Sequence, residues 1–80
     1  MGMHGTLRAA GAPDSMPPDQ VMVTDVSLHG VGFRSPTKLA ADSLHFIEIG
    51  VGPLHLSSRL RIARISKRPD GSYDVGAEFV

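Results

Sequence analysis

The segment with the most specific chemistry in this chain is Asp25-Val26-Ser27-Leu28-His29-Gly30-Val31-Gly32-Phe33. It presents a carboxylate, a hydroxyl two residues later and a glycine three residues after that. An ionised carboxylate can accept two adjacent N–H donors, such as those on one edge of a guanine ring, and a serine hydroxyl can bond a base or a phosphate. Gly30 and Gly32 would let a ligand approach the backbone closely, because no Cβ stands in the way.

The same residues also have a purely structural interpretation. Asp25 and Ser27 can cap a turn by accepting hydrogen bonds from nearby backbone N–H groups, and Gly30 can supply a positive φ. Small polar residues are common in turns, so the spacing alone leaves both interpretations open.

A second candidate is a basic stretch near the end of the chain, and its members are Arg59, Arg61, Arg64, Lys67 and Arg68. Exposed strand positions need polar residues, so a solvated strand face explains the stretch as well as an anion-binding patch does. Within it we assign Arg64 to the ligand site, provided that a bulge turns it toward the turn at Asp25–Gly30.

No catalytic or metal-binding pattern accompanies these candidates. The four histidines are scattered through the sequence without the spacing of metal ligands, and cysteine is absent. There is no nucleophile elbow and no phosphate-binding glycine loop. We therefore expect no enzyme, no metal and no cofactor.

The elements that position the candidates are predicted to be strands, because apolar residues recur every second position. This spacing predicts that Val21, Val23, Phe33, Ile47, Ile49, Tyr73, Val75 and Phe79 face the core. The parity changes between Leu60–Ile62 and Ile65, which predicts a bulge near 61–64. Pro69-Asp70-Gly71 predicts a hairpin turn between the last two strands. A strand near 5–10 is weakly indicated, and 35–43 has room for one helical turn.

Composition limits the class of protein. Eighty residues form one domain, residues 1–80, and 41% hydrophobic with 20% charged residues is a globular balance. The formal net charge is zero, which argues against a nucleic-acid polymer as partner. There is no apolar run long enough for a membrane span and no secretory signal pattern, so we expect a cytoplasmic location. Five or six short strands predict an all-β small barrel or curved sheet.

The chain resembles the PilZ domain, a bacterial signalling module that binds the second messenger cyclic di-GMP. Asp25, Ser27 and Gly30 match the family's Asp/Asn-x-Ser-x-x-Gly motif, and Tyr73-Asp-Val-Gly-Ala-Glu-Phe-Val80 is similar to its closing strand. The resemblance covers about residues 20–80. It implies a six-stranded antiparallel β-barrel and a cyclic di-GMP site that includes Asp25, Ser27 and Gly30. To these we add Gly32 and Arg64 from the reasoning above.

One feature of the family is missing from these 80 residues. Its Arg-x-x-x-Arg motif should precede the first strand, yet Arg8 is followed four positions later by Ala12. The motif is either lost or lies in a longer parent protein. Without these arginines, at ~1.5–3 kcal/mol per charged hydrogen bond, micromolar affinity would fall to millimolar. The alternative is a binding-incompetent PilZ-like domain that contacts a partner protein. A weak first strand would leave a barrel edge unpaired, which predicts self-association.

Overall fold

The computed structural model describes residues 3–13 and 15–80, and the side chains of Val51 and Leu54 lie outside that description. Six strands run through the described residues: β1 Met3–Ala9, β2 Asp19–Val26, β3 Gly30–Ser35, β4 Leu44–Val51, β5 Leu54–Lys67 and β6 Tyr73–Phe79. Every pairing between them is antiparallel, and the order β1-β2-β3-β6-β5-β4 closes into a barrel. The all-β fold and the six-stranded antiparallel barrel are confirmed.

The first strand is stronger than the sequence indicates. β1 pairs with β2 on one side and with β4 on the other, from Met3↔Val23 to Ala9↔His45. Gly5 and Leu7 are buried, while Thr6 between them is partly exposed. The expectation of an imperfectly closed barrel is therefore wrong, because β1 satisfies both neighbouring edges. Among the described strands no unpaired edge is left to support self-association.

The core follows the two-residue apolar spacing. Six of the eight predicted core residues are buried: Val21, Val23, Phe33, Ile47, Ile49 and Val75. Tyr73 and Phe79 are only partly buried and pack against the cluster from its margin. They are the first and last residues of β6, and at these two ends of the strand the rings stay partly exposed. Both rings nevertheless face the core, as predicted.

The turn between β5 and β6 is formed as predicted. Gly71 has φ +91°, a left-handed conformation that glycine adopts without strain. The Asp70 carboxylate accepts hydrogen bonds from the Ser72 backbone N–H at 2.9 Å and from the Ser72 hydroxyl at 2.6 Å. These bonds lower the pKa of Asp70. Beyond the turn, Ile65, Ser66 and Lys67 pair with Val75, Asp74 and Tyr73.

The connection from β3 to β4 contains no helical turn, contrary to expectation. The buried Ser35 hydroxyl donates to the Thr37 carbonyl at 2.8 Å and accepts from the Thr37 N–H at 3.2 Å, which holds the chain in a bend instead. Leu39 then returns to the core. No helix in the described residues is long and apolar enough to cross a membrane.

Two β-bulges interrupt the ladders. In β5 the register shifts between Ile62 and Arg64, which leaves Ala63 as the extra residue and confirms the predicted bulge. In β2 a second shift occurs between Val23 and Asp25, with Thr24 as the extra residue. A bulge re-aims the side chains that follow it. As a result Asp25 and Arg64 are both exposed on the outer surface of the barrel.

Candidate ligand-binding site

An open groove of about 510 Å³ crosses the outer surface of β2, β3, β6 and β5. We call it the glycine cleft, after Gly32 and Gly76 at its centre. All five residues assigned to the site from sequence line it: Asp25, Ser27, Gly30, Gly32 and Arg64. The structure therefore brings together two segments that are almost 40 positions apart in the chain.

Strand register explains why these residues meet. Asp25 pairs with Gly32, Gly32 pairs with Gly76, and Gly76 pairs with Arg64. The four residues form one row across four neighbouring strands, with a carboxylate at one end, a guanidinium at the other and bare backbone between them. Adjacent strands are ~4.8 Å apart, so the two glycines provide a narrow floor without side chains.

The two glycines give the charged side chains their space. A Cβ at Gly32 would lie 2.9 Å from Oδ2 of Asp25, so the carboxylate rests directly over β3. A Cβ at Gly76 would lie 3.4 Å from Nε and 3.5 Å from Nη2 of Arg64, so the guanidinium rests over β6. Both charged groups thus lean inward across the floor toward the middle of the cleft.

The sequence suggested two roles for Gly30, a positive φ and the close approach of a ligand, and the structure indicates a third. Its φ is not among the positive values, so the turn does not require glycine for that reason. A Cβ at Gly30 would instead collide with the carbonyl oxygen of Ala77 on β6. Gly30 therefore allows β3 and β6 to approach closely at the end of the cleft, which is a structural function.

Ser27 belongs mainly to the turn. Its N–H donates to the Gly30 carbonyl at 2.9 Å, and its hydroxyl makes two long contacts, to the Gly30 carbonyl at 3.3 Å and from the His29 N–H at 3.4 Å. Both lengths exceed the usual ranges of about 2.5–3.0 Å for a hydroxyl donor and about 2.7–3.2 Å for an N–H donor, so the hydroxyl can exchange these contacts for a better partner. The turn-capping interpretation fits Ser27, whereas the Asp25 carboxylate has no hydrogen bond within residues 3–13 and 15–80.

The other charges at the cleft are largely neutralised. Glu78 lines it but pairs with Arg61 at 2.8 Å, and Asp74 lines it but pairs with Arg68 at 3.0 Å. The pair with Glu78 raises the pKa of Arg61. By contrast, Arg64 forms no ion pair with any described residue.

Sequence reasoning missed Gly76. The signal was present, because Gly76 occupies an outward position of β6 between Asp74 and Glu78, where a polar residue would ordinarily stand. A glycine there weakens the strand and often marks a close approach. What could not be read from the sequence is that Gly76 faces Gly32 across the β3–β6 ladder.

Among the described residues no group of three or more histidine, aspartate or glutamate side chains could hold a metal ion. No protein-family model and no curated protein matches the chain.

Proposed function

We propose that this chain is a bacterial, cytoplasmic signalling module of the PilZ type, without enzymatic activity, which binds cyclic di-GMP in the glycine cleft. One observation carries the proposal: the Asp25 carboxylate is exposed, has no hydrogen-bond partner among the described residues and lies over the bare backbone of Gly32. A carboxylate in this position is ready to accept the N1–H and N2–H donors of a guanine ring. The hydroxyl of Ser27 lies at the end of the same cleft.

The charge distribution indicates weak binding. The ligand carries two phosphates, yet Arg64 is the one arginine among the described residues that line the cleft, and the nearby Arg61 and Arg68 are already paired with Glu78 and Asp74. The one arginine that precedes β2 cannot compensate. Arg8 pairs in register with Phe46 on β4 and donates to the Met16 carbonyl at 3.3 Å, outside the cleft. We expect a dissociation constant in the millimolar range.

Calorimetric titration with cyclic di-GMP tests this proposal. The 80-residue chain should bind weakly, and a variant with an Arg-x-x-x-Arg segment added ahead of Met3 should bind at least tenfold more tightly, because arginine forms bidentate bonds with phosphate. Asp25→Ala in that variant should abolish most of the gain. Asp19→Ala is a matched control, since Asp19 is an exposed aspartate of the same strand and lies outside the cleft. Sub-micromolar binding by the unmodified chain, or no gain from the added arginines, would contradict the proposal.

A second candidate function is protein–protein contact by a domain that does not bind the nucleotide. Leu44 and Phe46 favour it, because both lie on the outer face of β4 and are 44% and 45% exposed. In the cyclic strand order β4 stands opposite β3, so this surface lies away from the cleft. If adding the arginines leaves cyclic di-GMP binding undetectable, this function becomes the better explanation.

A further inference from the structure

We infer that the outer face of β1, β4 and β5 binds an acidic segment of a partner protein, with Phe46 as apolar anchor and Arg8 and Arg59 as charged contacts. Phe46 is 45% exposed and stands between the buried His45 and Ile47, so its ring points away from the core. We call the surface defined by Arg8, Phe46 and Arg59 the Phe46 face. Cyclic di-GMP binding in the glycine cleft is not required for this contact, which specifies a partner for the second candidate function.

Strand register places an arginine on each side of Phe46. Arg8 on β1 and Arg59 on β5 are its direct partners in the two ladders, so the three residues form one row across the sheet. Side chains paired in this way have Cβ atoms ~4.5–5.5 Å apart, which places both guanidinium groups within reach of the ring. The row therefore combines apolar and cationic contacts on one small area of the surface.

Neither arginine of the row is neutralised by a carboxylate among the described residues. Arg8 donates from Nη1 to the Met16 carbonyl at 3.3 Å, which is longer than the ~2.7–3.2 Å usual for an N–H donor, and Arg59 is exposed. Arg61, the next outward residue of β5, is instead held by Glu78 at 2.8 Å. The row thus presents two cations to the carboxylates of another molecule.

A depression of about 240 Å³ lies beside the Phe46 ring. It is lined by Thr6, Arg8, Pro18, Phe46, Glu48 and Ser57. Phe46 and Pro18 provide its apolar surface, and the Glu48 carboxylate is hydrogen-bonded to Nε2 of His55 at 3.2 Å. Pockets for drug-sized ligands measure ~300–1,000 Å³, so this smaller depression suits a single aliphatic side chain. Carboxylates on either side of that side chain would then meet the arginines of the row.

Charge complementarity favours an acidic protein segment over other occupants. A second copy related by a two-fold axis through Phe46 would place Arg8 against Arg59, so like charges would meet. A nucleic-acid strand is disfavoured because the chain has a formal net charge of zero and the depression contains Glu48. Leu44, which is 44% exposed and two residues before Phe46 on the same strand, extends the apolar surface. Aromatic residues and arginine are the types enriched in the hot spots of protein interfaces.

Titrations of the 80-residue chain with three acetylated and amidated pentapeptides, followed by ¹H–¹⁵N chemical shifts up to millimolar peptide, test the inference. Asp-Glu-Leu-Glu-Asp carries the charge and an apolar side chain, Asn-Gln-Leu-Gln-Asn lacks the charge, and Asp-Glu-Ser-Glu-Asp lacks the apolar side chain. The first should bind at least ~fivefold more tightly than either of the others, and rising salt should weaken it. Its shift changes should centre on Arg8, Phe46 and Arg59.

Variants of the face separate its two contributions. Phe46→Thr keeps strand propensity but removes the ring, and it should weaken binding of the acidic leucine peptide ~tenfold. Arg8→Gln and Arg59→Gln should each weaken it ~2–5-fold. Leu28→Thr and Lys67→Gln are the matched controls, since Leu28 is 91% exposed, Lys67 is an exposed cation of β5, and both lie outside the face. Unchanged amide spectra of each free variant verify its fold.

Three results would overturn the inference. The first is equal binding of the charged and uncharged leucine peptides, or no shifts on the Phe46 face with the acidic one. The second is a dependence of the Phe46 shift on protein concentration without peptide, which would assign the face to a second copy. The third is tighter binding of an oligothymidylate than of the acidic peptide, which would assign it to nucleic acid. None of them alters the calorimetric test of cyclic di-GMP binding, so the proposed function fails or stands separately.

Discussion

Gly30→Ala should destabilise the barrel more than any other alanine substitution at a non-turn glycine of the described strands. The added Cβ would meet the carbonyl oxygen of Ala77, which belongs to the backbone of β6. A side chain could rotate away from such a contact, but this carbonyl cannot move without distorting the β3–β6 ladder. The ladder runs from Gly30↔Glu78 to Ser35↔Tyr73, and its distortion would spread along both strands.

The magnitude follows from the type of contact. Overpacking in well-packed structures costs ~1–3 kcal/mol, and a rigid backbone partner places this substitution at the upper end, about 3 kcal/mol. A domain of 80 residues has a total stability of roughly 4–12 kcal/mol. At ~4–8 °C per kcal/mol, the midpoint of thermal unfolding should fall by roughly 12–24 °C.

Thermal and urea unfolding followed by circular dichroism measure this change, and Gly50→Ala provides the control. Gly50 lies in β4, is exposed, and a Cβ there would meet nothing within 4 Å. Alanine in a strand interior loses less chain entropy than glycine, so Gly50→Ala should be neutral or stabilising by ~0.5–1 kcal/mol. If Gly30→Ala unfolds at the same midpoint as the wild type, the close approach of β3 and β6 does not explain the glycine of the motif.

Two further predictions concern the turn and the core. Gly71→Val should cost about 1–3 kcal/mol in urea unfolding, because a β-branched residue is strained at φ +91°, and Gly71→Asn should cost less. Burial lowers the pKa of His45 below 6.5, although the negative charge of Asp19 acts in the opposite direction and raises it. Between that lowered pKa and 6.5 the unfolded chain binds more protons, so the free energy of unfolding should decrease as the pH falls below about 6.5. His45→Gln should flatten this dependence, and a wild-type stability that is constant between pH 7.5 and 5 would contradict it.

The fold could be predicted from the sequence where the alternation of apolar and polar residues shows which face of a strand is buried. Alternation identified the inward faces of β2, β3, β4 and β6, and Pro69-Asp70-Gly71 identified the final turn. β1 was underestimated because it contributes few apolar side chains to the alternation, with Gly5 at one of its buried positions. Its stability comes from pairing with two strands, and such long-range pairing leaves no local signal.

Only some parts of the site could be predicted from the sequence. The Asp25–Gly30 turn is visible as a motif, and the parity change at Ile62–Ile65 reveals the bulge beside Arg64. The bulge in β2 is less visible, because Thr24, Asp25 and Val26 are all exposed, so no second buried alternation follows Val23 to reveal a change of parity. Gly76 is recognisable as unusual, but its partner depends on the register between β3 and β6.

The two bulges together explain why a cleft forms at this place on the barrel. Each stands on a strand that flanks the β3–β6 pair, at Thr24 on one side and Ala63 on the other. A bulge increases the local twist and bends its strand. Each bulge re-aims the side chain that follows it, and Asp25 and Arg64 both extend over the glycines between them. Deleting Ala63 would restore regular pairing without reversing a face of β5, because Ile62 and Ile65 would still point inward and Arg64 would still stand opposite Gly76. The deletion would remove only the local bend and twist of the bulge, so it separates the aim of Arg64 from the packing of the core.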